Sequence, residues 1–242
     1  MALSFNGSSS KLEWAGALAS AFPFTIFGWV KPTSASTSHM AFGSGRSGFE
    51  LAAFLDGASG AKAFSNEGGS TFAASANALA TTWQPVMCVF TSSGARTIYY
   101  GNGAPVSSST TNAAFSSAHT RFVVGTRPQG DALWFNGDIA HVAAWSAALT
   151  QTDFNALAGG AAPSTVAAAS LIEYWSLATQ AATQTGTKGR ALAATNTSQA
   201  STDPLSSGRT LAAAPGAYSI SGNAAGLVVA TPTFSAALAR MS

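Results

Sequence analysis

The residues able to shuttle protons or hold a metal ion are few in this chain. They are Glu13, Glu50, Glu67, Glu173, Asp56, Asp131, Asp138, Asp153, Asp203, His39, His119 and His141. Glycoside hydrolysis takes two carboxylates flanking the scissile bond. The four glutamates lie far apart in sequence, so paired-acid chemistry has no visible seat and a non-enzyme is expected, without catalytic residues or cofactor. Calcium takes about six to eight oxygens; Asp56, Glu67, Asp131 and Asp138 are the loop acids to consider, and Asp131 and Asp138 read as turn acids rather than calcium ligands. The three histidines lie far apart and lack metal-binding spacing. Gly43–Gly48 is glycine-rich but lacks the lysine and following helix of a phosphate loop, and reads as a mobile turn. Cys88, the single cysteine, sits in the apolar run Val86–Phe90 and reads as a buried small hydrophobe. That leaves the tryptophans, whose rings can stack on a sugar or a partner. Trp134 follows a flexible loop, Arg127–Asp131, and these three residues are the expected contact for a glycan or partner.

Composition narrows the partners. Only 8% of residues are charged, against about 25% in ordinary globular chains. Ala, Ser, Thr and Gly fill the surface instead, which costs little to desolvate. Net charge is +2, and the basic residues never form a run, so no stripe for nucleic acid is built. No apolar run is long enough to span a membrane, and the first residues do not read as a signal peptide.

Short strand-like runs recur between Gly, Ser, Asn and Pro, the pattern of a β-sandwich. They are Leu3–Phe5, Lys11–Trp14, Phe24–Val30, His39–Phe42, Phe49–Phe54, Ala61–Ser65, Gln84–Thr91, Ala95–Tyr100, Arg121–Gly125, Gly137–Trp145 and Ser170–Leu177. Tyr100–Gly103 reads as a tight turn. Thr150–Ala158 predicts a short helix, capped by Thr150 with Asp153 and stopped by Gly159-Gly160. Thr179–Ser207 reads as an irregular wrap. Beyond it, residues 208–242 read as an extended arm, with short strands at Ala217–Ile220 and Leu227–Ala230. The expected core anchors are Phe5, Phe24, Ile26, Trp29, Val89, Ile98, Val123, Ile139, Val142 and Trp145.

Four segments, Phe5–Gly7, Phe24–Pro32, Trp83–Gly103 and Phe135–Leu157, resemble in order the motifs of the LamG-like, concanavalin A-like jelly roll. The resemblance implies an all-β, antiparallel two-sheet jelly-roll sandwich with a short helix. It also implies buried positions for Trp29, Trp83 and Trp145. The acid pattern of the glucanase relatives, Glu-x-Asp-x-x-Glu, is missing. Leu171–Leu177, Gly189–Leu192, Thr202–Pro204 and Pro215–Ala225 resemble segments of jelly-roll virion proteins of tailed bacteriophages. That resemblance implies a structural protein of a phage particle, most simply a capsid decoration protein, made in the host cytoplasm and located in the virion. Its partners would be the major capsid protein or tail, copies of itself, and a host-surface glycan, with no nucleic acid and no membrane. The expected division is a jelly roll over 1–207 and an assembly arm over 208–242, carried by Tyr218, Ile220, Leu227, Val229 and Phe234. The alternative is a carbohydrate-binding adhesin module that uses a jelly-roll rim.

Overall fold

The computed structural model describes residues 1–67, 70–74, 77–109, 117–200, 202–205, 222–223 and 226–227. The chain divides into two compact units, Met1–Pro204 and Leu205–Ser242.

In the first unit, alternation of large apolar and small residues produces strands β1 (Leu3–Asn6), β2 (Lys11–Trp14), β3 (Phe24–Pro32), β4 (His39–Arg46), β5 (Phe49–Asp56), β6 (Gly60–Asn66), β7 (Ser70–Ala74) and β8 (Gln84–Phe90). There follow β9 (Arg96–Tyr100), β10 (Val106–Ser108), β11 (Arg121–Val124), β12 (Asn136–Trp145), helix α1 (Gln151–Ala158), β13 (Leu171–Trp175), β14 (Thr183–Thr185), β15 (Ala191–Thr195) and β16 (Ser198–Gln199). One sheet runs β10-β9-β8-β3-β12-β1-β16, with β13 also paired to β12. The other runs β14-β15-β2-β11-β4-β5-β6-β7. All their pairings are antiparallel. This is the expected two-sheet sandwich, and every expected core anchor is buried.

The inner faces interlock by size. Phe24, Ile26 and Val30 of β3 point into the core with Phe42, Phe122 and Leu192 of the opposite sheet. Gly28 lies in the same inward row, and a Cβ there would stand 2.6 Å from the Phe42 ring. The missing side chain is the hole that this ring fills. Phe122 of β11 stacks on Trp175 of β13, with centroids 5.2 Å apart, joining the two sheets. Helix α1 covers the outside of the first sheet, where Phe154 packs on Tyr99 at 5.2 Å. Its start carries the expected capping box: Thr150 Oγ1 accepts from the Asp153 amide, and the Asp153 carboxylate accepts from the Thr150 amide.

Several expectations need correction. Of Gly43–Gly48, only Ser47-Gly48 is a turn; Gly43–Arg46 ends β4, buried as far as Gly45. Side chains at Gly43 and Gly45 would strike the carbonyl oxygens of Leu51 and Phe49 at 2.6 and 2.7 Å, so glycine here permits close strand approach. Residues 179–207 are not wholly irregular: β14 and β15 extend the second sheet, and β16 lies beside β1. Their Ala and Thr residues give little alternation, and only Gln184 and Leu192 of these strands are buried. Trp83 is half-buried, because its indole N–H reaches out to Thr202 Oγ1 at 3.1 Å.

In the second unit, Gly222–Asn223 pairs antiparallel with Gly226–Leu227. Of the expected arm anchors, Tyr218, Ile220, Val229 and Phe234 lie outside the described residues. Leu227 is placed as a strand residue, with its side chain not described.

Candidate functional site

The loop that follows β11 is tied down at several points, while Gly130–Leu133 stay exposed. It folds down over the outer face of the second sheet. Gly125 accepts from the Phe135 amide at 2.9 Å, and Ala132 accepts from the Arg127 amide and the Thr126 hydroxyl, both at 3.0 Å. Arg127 Nε donates to Glu50 Oε1 at 2.7 Å, beneath the loop. Asp131 takes Lys11 at 2.6 Å and Arg121 at 2.8 Å, and Glu13 meets the same two cations at 2.9 and 3.1 Å. Burial alone would raise the Asp131 carboxyl, but Lys11 and Arg121 hold it below its ordinary value. Trp134 is half-buried, and its carbonyl accepts from His39 Nδ1 at 3.0 Å. Arg127 and Asp131 thus fasten a strap, and Trp134 ends it.

The acids are spent in the same manner. Glu67 lies in the loop after β6 but is fully buried, 2.6 Å from His119 Nε2. Glu173, also fully buried, accepts from the backbone amides of Lys188 and Arg190 at 2.6 and 2.8 Å and so fixes the β14–β15 hairpin. Asp56 holds Lys62 at 2.6 Å, and that hydrogen bond leads the causes that keep its carboxyl well below the usual range. Asp138 accepts from the Ser4 hydroxyl and lies 3.4 Å from Lys31. His141 stacks on Tyr174, and burial, then the positive amino terminus, pushes its imidazole down to about 4. Burial likewise pushes the Cys88 thiol far up. Among the described residues, no three acids, histidines or cysteines gather to hold a metal ion.

Two concave features among the described residues bear on ligand binding. An apolar pocket of about 210 Å³ lies among Leu18–Phe24, Ser146 and Ile172. A groove of about 430 Å³ is lined by Asn77, Ala78, Ala80, Gln84, Tyr100 and Asn102. One wall is the segment entering β8, and the other is the turn leaving β9. Antiparallel pairing of β8 with β9 sets Val86 opposite Tyr100, which brings Gln84 to the turn. Two glycines make the seat. A Cβ at Gly101 would stand 2.5 Å from Gln84 Oε1, and one at Gly103 would stand 2.3 Å from Asn77 Nδ2. Gly101 has φ +58°, a conformation that glycine adopts freely. Tyr100 is fixed at the floor: its hydroxyl accepts from the Ala80 amide at 3.0 Å, and its carbonyl accepts from the Gly103 amide at 3.1 Å. Burial raises this phenol above its ordinary value. Primary amides both donate and accept hydrogen bonds, as a polyhydroxylated ligand requires. Here Gln84 Nε2 already donates to Thr82 Oγ1 at 3.0 Å, and Asn77 Nδ2 lies 3.4 Å from the Tyr100 carbonyl oxygen. The turn was legible in the sequence, but the amides that converge on it were not singled out.

The sequence profile of the concanavalin A-like lectin/glucanases superfamily matches residues 6–154, more than half of the chain. No curated protein matches the sequence. Among solved structures, the chain is similar to a native heptameric SAP-like pentraxin from Limulus polyphemus, with 17% identity and TM-score 0.52, over 64% of this chain and 80% of that one. It is also similar to a putative carbohydrate binding protein from Bacteroides ovatus, with 16% identity and TM-score 0.55, over 81% of this chain and 58% of that one. Domain 4 of an extracellular arabinanase from Geobacillus stearothermophilus, in complex with arabinotriose, is 20% identical with TM-score 0.53, over 64% of this chain and 75% of that one. These likenesses concern the fold, which agrees with the profile match, and the chain belongs to the concanavalin A-like lectin/glucanases superfamily.

Proposed function

We propose that the chain is a non-catalytic carbohydrate-binding domain whose ligand lies in the groove beside the Tyr100–Gly103 turn. The observation that carries this reading is the convergence of Asn77, Gln84 and Asn102 around Tyr100. A primary amide carries both donors and an acceptor, the combination that neighbouring hydroxyls on a sugar ring call for. The superfamily and the Bacteroides and arabinanase-domain likenesses support it. The commitment of Glu50, Glu67 and Glu173 to buried partners supports the absence of hydrolysis. The test is a glycan panel presented to the full chain, with reducing sugar assayed in parallel. Saturable binding to at least one glycan without release of reducing ends is expected. No binding across a broad panel would sink the proposal.

A place on a phage particle, as a capsid decoration protein bound to the major capsid protein or as a tail component, is a separate proposal. It rests on the sequence segments Leu171–Leu177, Gly189–Leu192, Thr202–Pro204 and Pro215–Ala225. In the fold, β13 carries most of Leu171–Leu177, β15 takes up Ala191 and Leu192, and both strands complete the sandwich itself. The comparisons support the carbohydrate reading better than the virion one.

A further inference from the structure

The two stretches of chain that build the groove carry almost no charge. Residues 68–95 and 97–118 contain no Asp, Glu, Lys, Arg or His. The residue between them, Arg96, is buried at the opposite end of β9 from Tyr100 and donates to the Ser93 carbonyl at 2.9 Å. We infer that the groove selects an uncharged saccharide and holds it without a bridging cation. This rests on the carbohydrate reading of the groove.

Two physical arguments carry it. An anionic sugar, bearing a carboxylate or sulfate, loses hydration on entering a groove and needs a cationic partner to offset that loss. Asn77, Gln84, Asn102 and Tyr100 supply only neutral dipoles. Calcium sites draw their charge from carboxylates, which amide and backbone oxygens supplement, and neither stretch has a carboxylate. The Tyr100 carbonyl already accepts from the Gly103 amide and lies 3.4 Å from Asn77 Nδ2. Neutral hydroxyls, by contrast, are satisfied by amides that are at once donors and acceptors.

The test uses the full chain and calorimetric titration with arabinotriose, cellotriose, sialyllactose and trigalacturonate. Each titration is run with calcium, with EDTA, and at low and high salt. One or both neutral trisaccharides should bind, and the two acidic ones should not. Chelation and added salt should change the affinity by less than about twofold, because no ion pair is screened. Gln84→Ala and Asn102→Ala should each weaken binding about tenfold, the loss of about one hydrogen bond, with unchanged thermal midpoints. Preference for an acidic sugar, or loss of binding in EDTA, overturns the inference while leaving the carbohydrate reading standing. Binding that ignores both substitutions overturns the placement in the groove. Absence of binding to all four probes and to the wider panel overturns both readings.

Discussion

Glu50 alternates with Leu51 along β5, so its carboxylate leaves the core side of the sheet and belongs on the outer face. It is nonetheless wholly buried, because the strap Thr126–Trp134 lies over it and Arg127 reaches in at 2.7 Å. Burial raises the carboxyl above its ordinary value against the pull of Arg127. Removing the guanidinium leaves that acid without its cation. Arg127→Ala should therefore destabilise the fold by about 2–4 kcal/mol, somewhat less than for a dry pair because the arginine is partly in water. Adding Glu50→Gln should recover most of the loss. Urea unfolding of the two single variants and the double variant checks this, and a single-variant loss under about 0.5 kcal/mol would show the pair to be an ordinary surface one. The same residues mark what could be read from the sequence. Trp134, Arg127 and Asp131 stand out in the sequence as a cluster, but Glu50 and Lys11 are remote from them. Arg121, ten residues before Asp131, is aimed by its strand rather than by spacing, so the ties on the loop are not legible. The groove was hidden for a related reason. Asn77, Gln84 and Asn102 resemble any surface amides until the β8–β9 register sets them around Tyr100.

Elements with strong alternation were legible almost to the residue. Lys11–Trp14 is strand β2 as expected, and Phe24–Val30 lengthens only to Pro32. Those missed, β7, β10, β14, β15 and β16, are built mainly of Ser, Thr and Ala. Their position comes from pairing with stronger neighbours, such as β15 with β2, rather than from any pattern of their own. The elements are clamped by a few large side chains. Trp175 on β13 stacks on Phe122 of the other sheet and donates its indole N–H to the Arg190 carbonyl at 2.9 Å. Trp175→Ala should cost roughly 3–5 kcal/mol, since cavity formation adds to the lost hydrogen bond. Thermal and denaturant melts measure it, and a loss below about 1 kcal/mol would mean that the sheets do not depend on this stack.

At the scale of the molecule, the low charge and the division at Pro204–Leu205 set the expectations. Two-residue strands such as Gly222–Asn223 and Gly226–Leu227 are marginal alone in water. We expect residues 208–242 to mediate assembly, pairing with a sheet edge or a neighbouring subunit. Ending the chain after Ser207 should leave a folded, soluble domain that no longer oligomerises, as seen by circular dichroism and light scattering. A truncated protein that assembles as before refutes the assembly role, and one that unfolds shows instead that the tail completes the sandwich.

The first two strands carry a temporal consequence. β1 lies between β12 and β16, and β2 between β11 and β15. Neither finds a partner among its near neighbours in sequence. During synthesis at about 5–20 residues per second, β1 must wait on the order of ten seconds for Asn136–Trp145 to leave the ribosome. Through that interval Leu3, Phe5 and Leu12 stay unpaired, so the nascent chain depends on its own sparing use of large apolar residues, or on a chaperone, to avoid premature association.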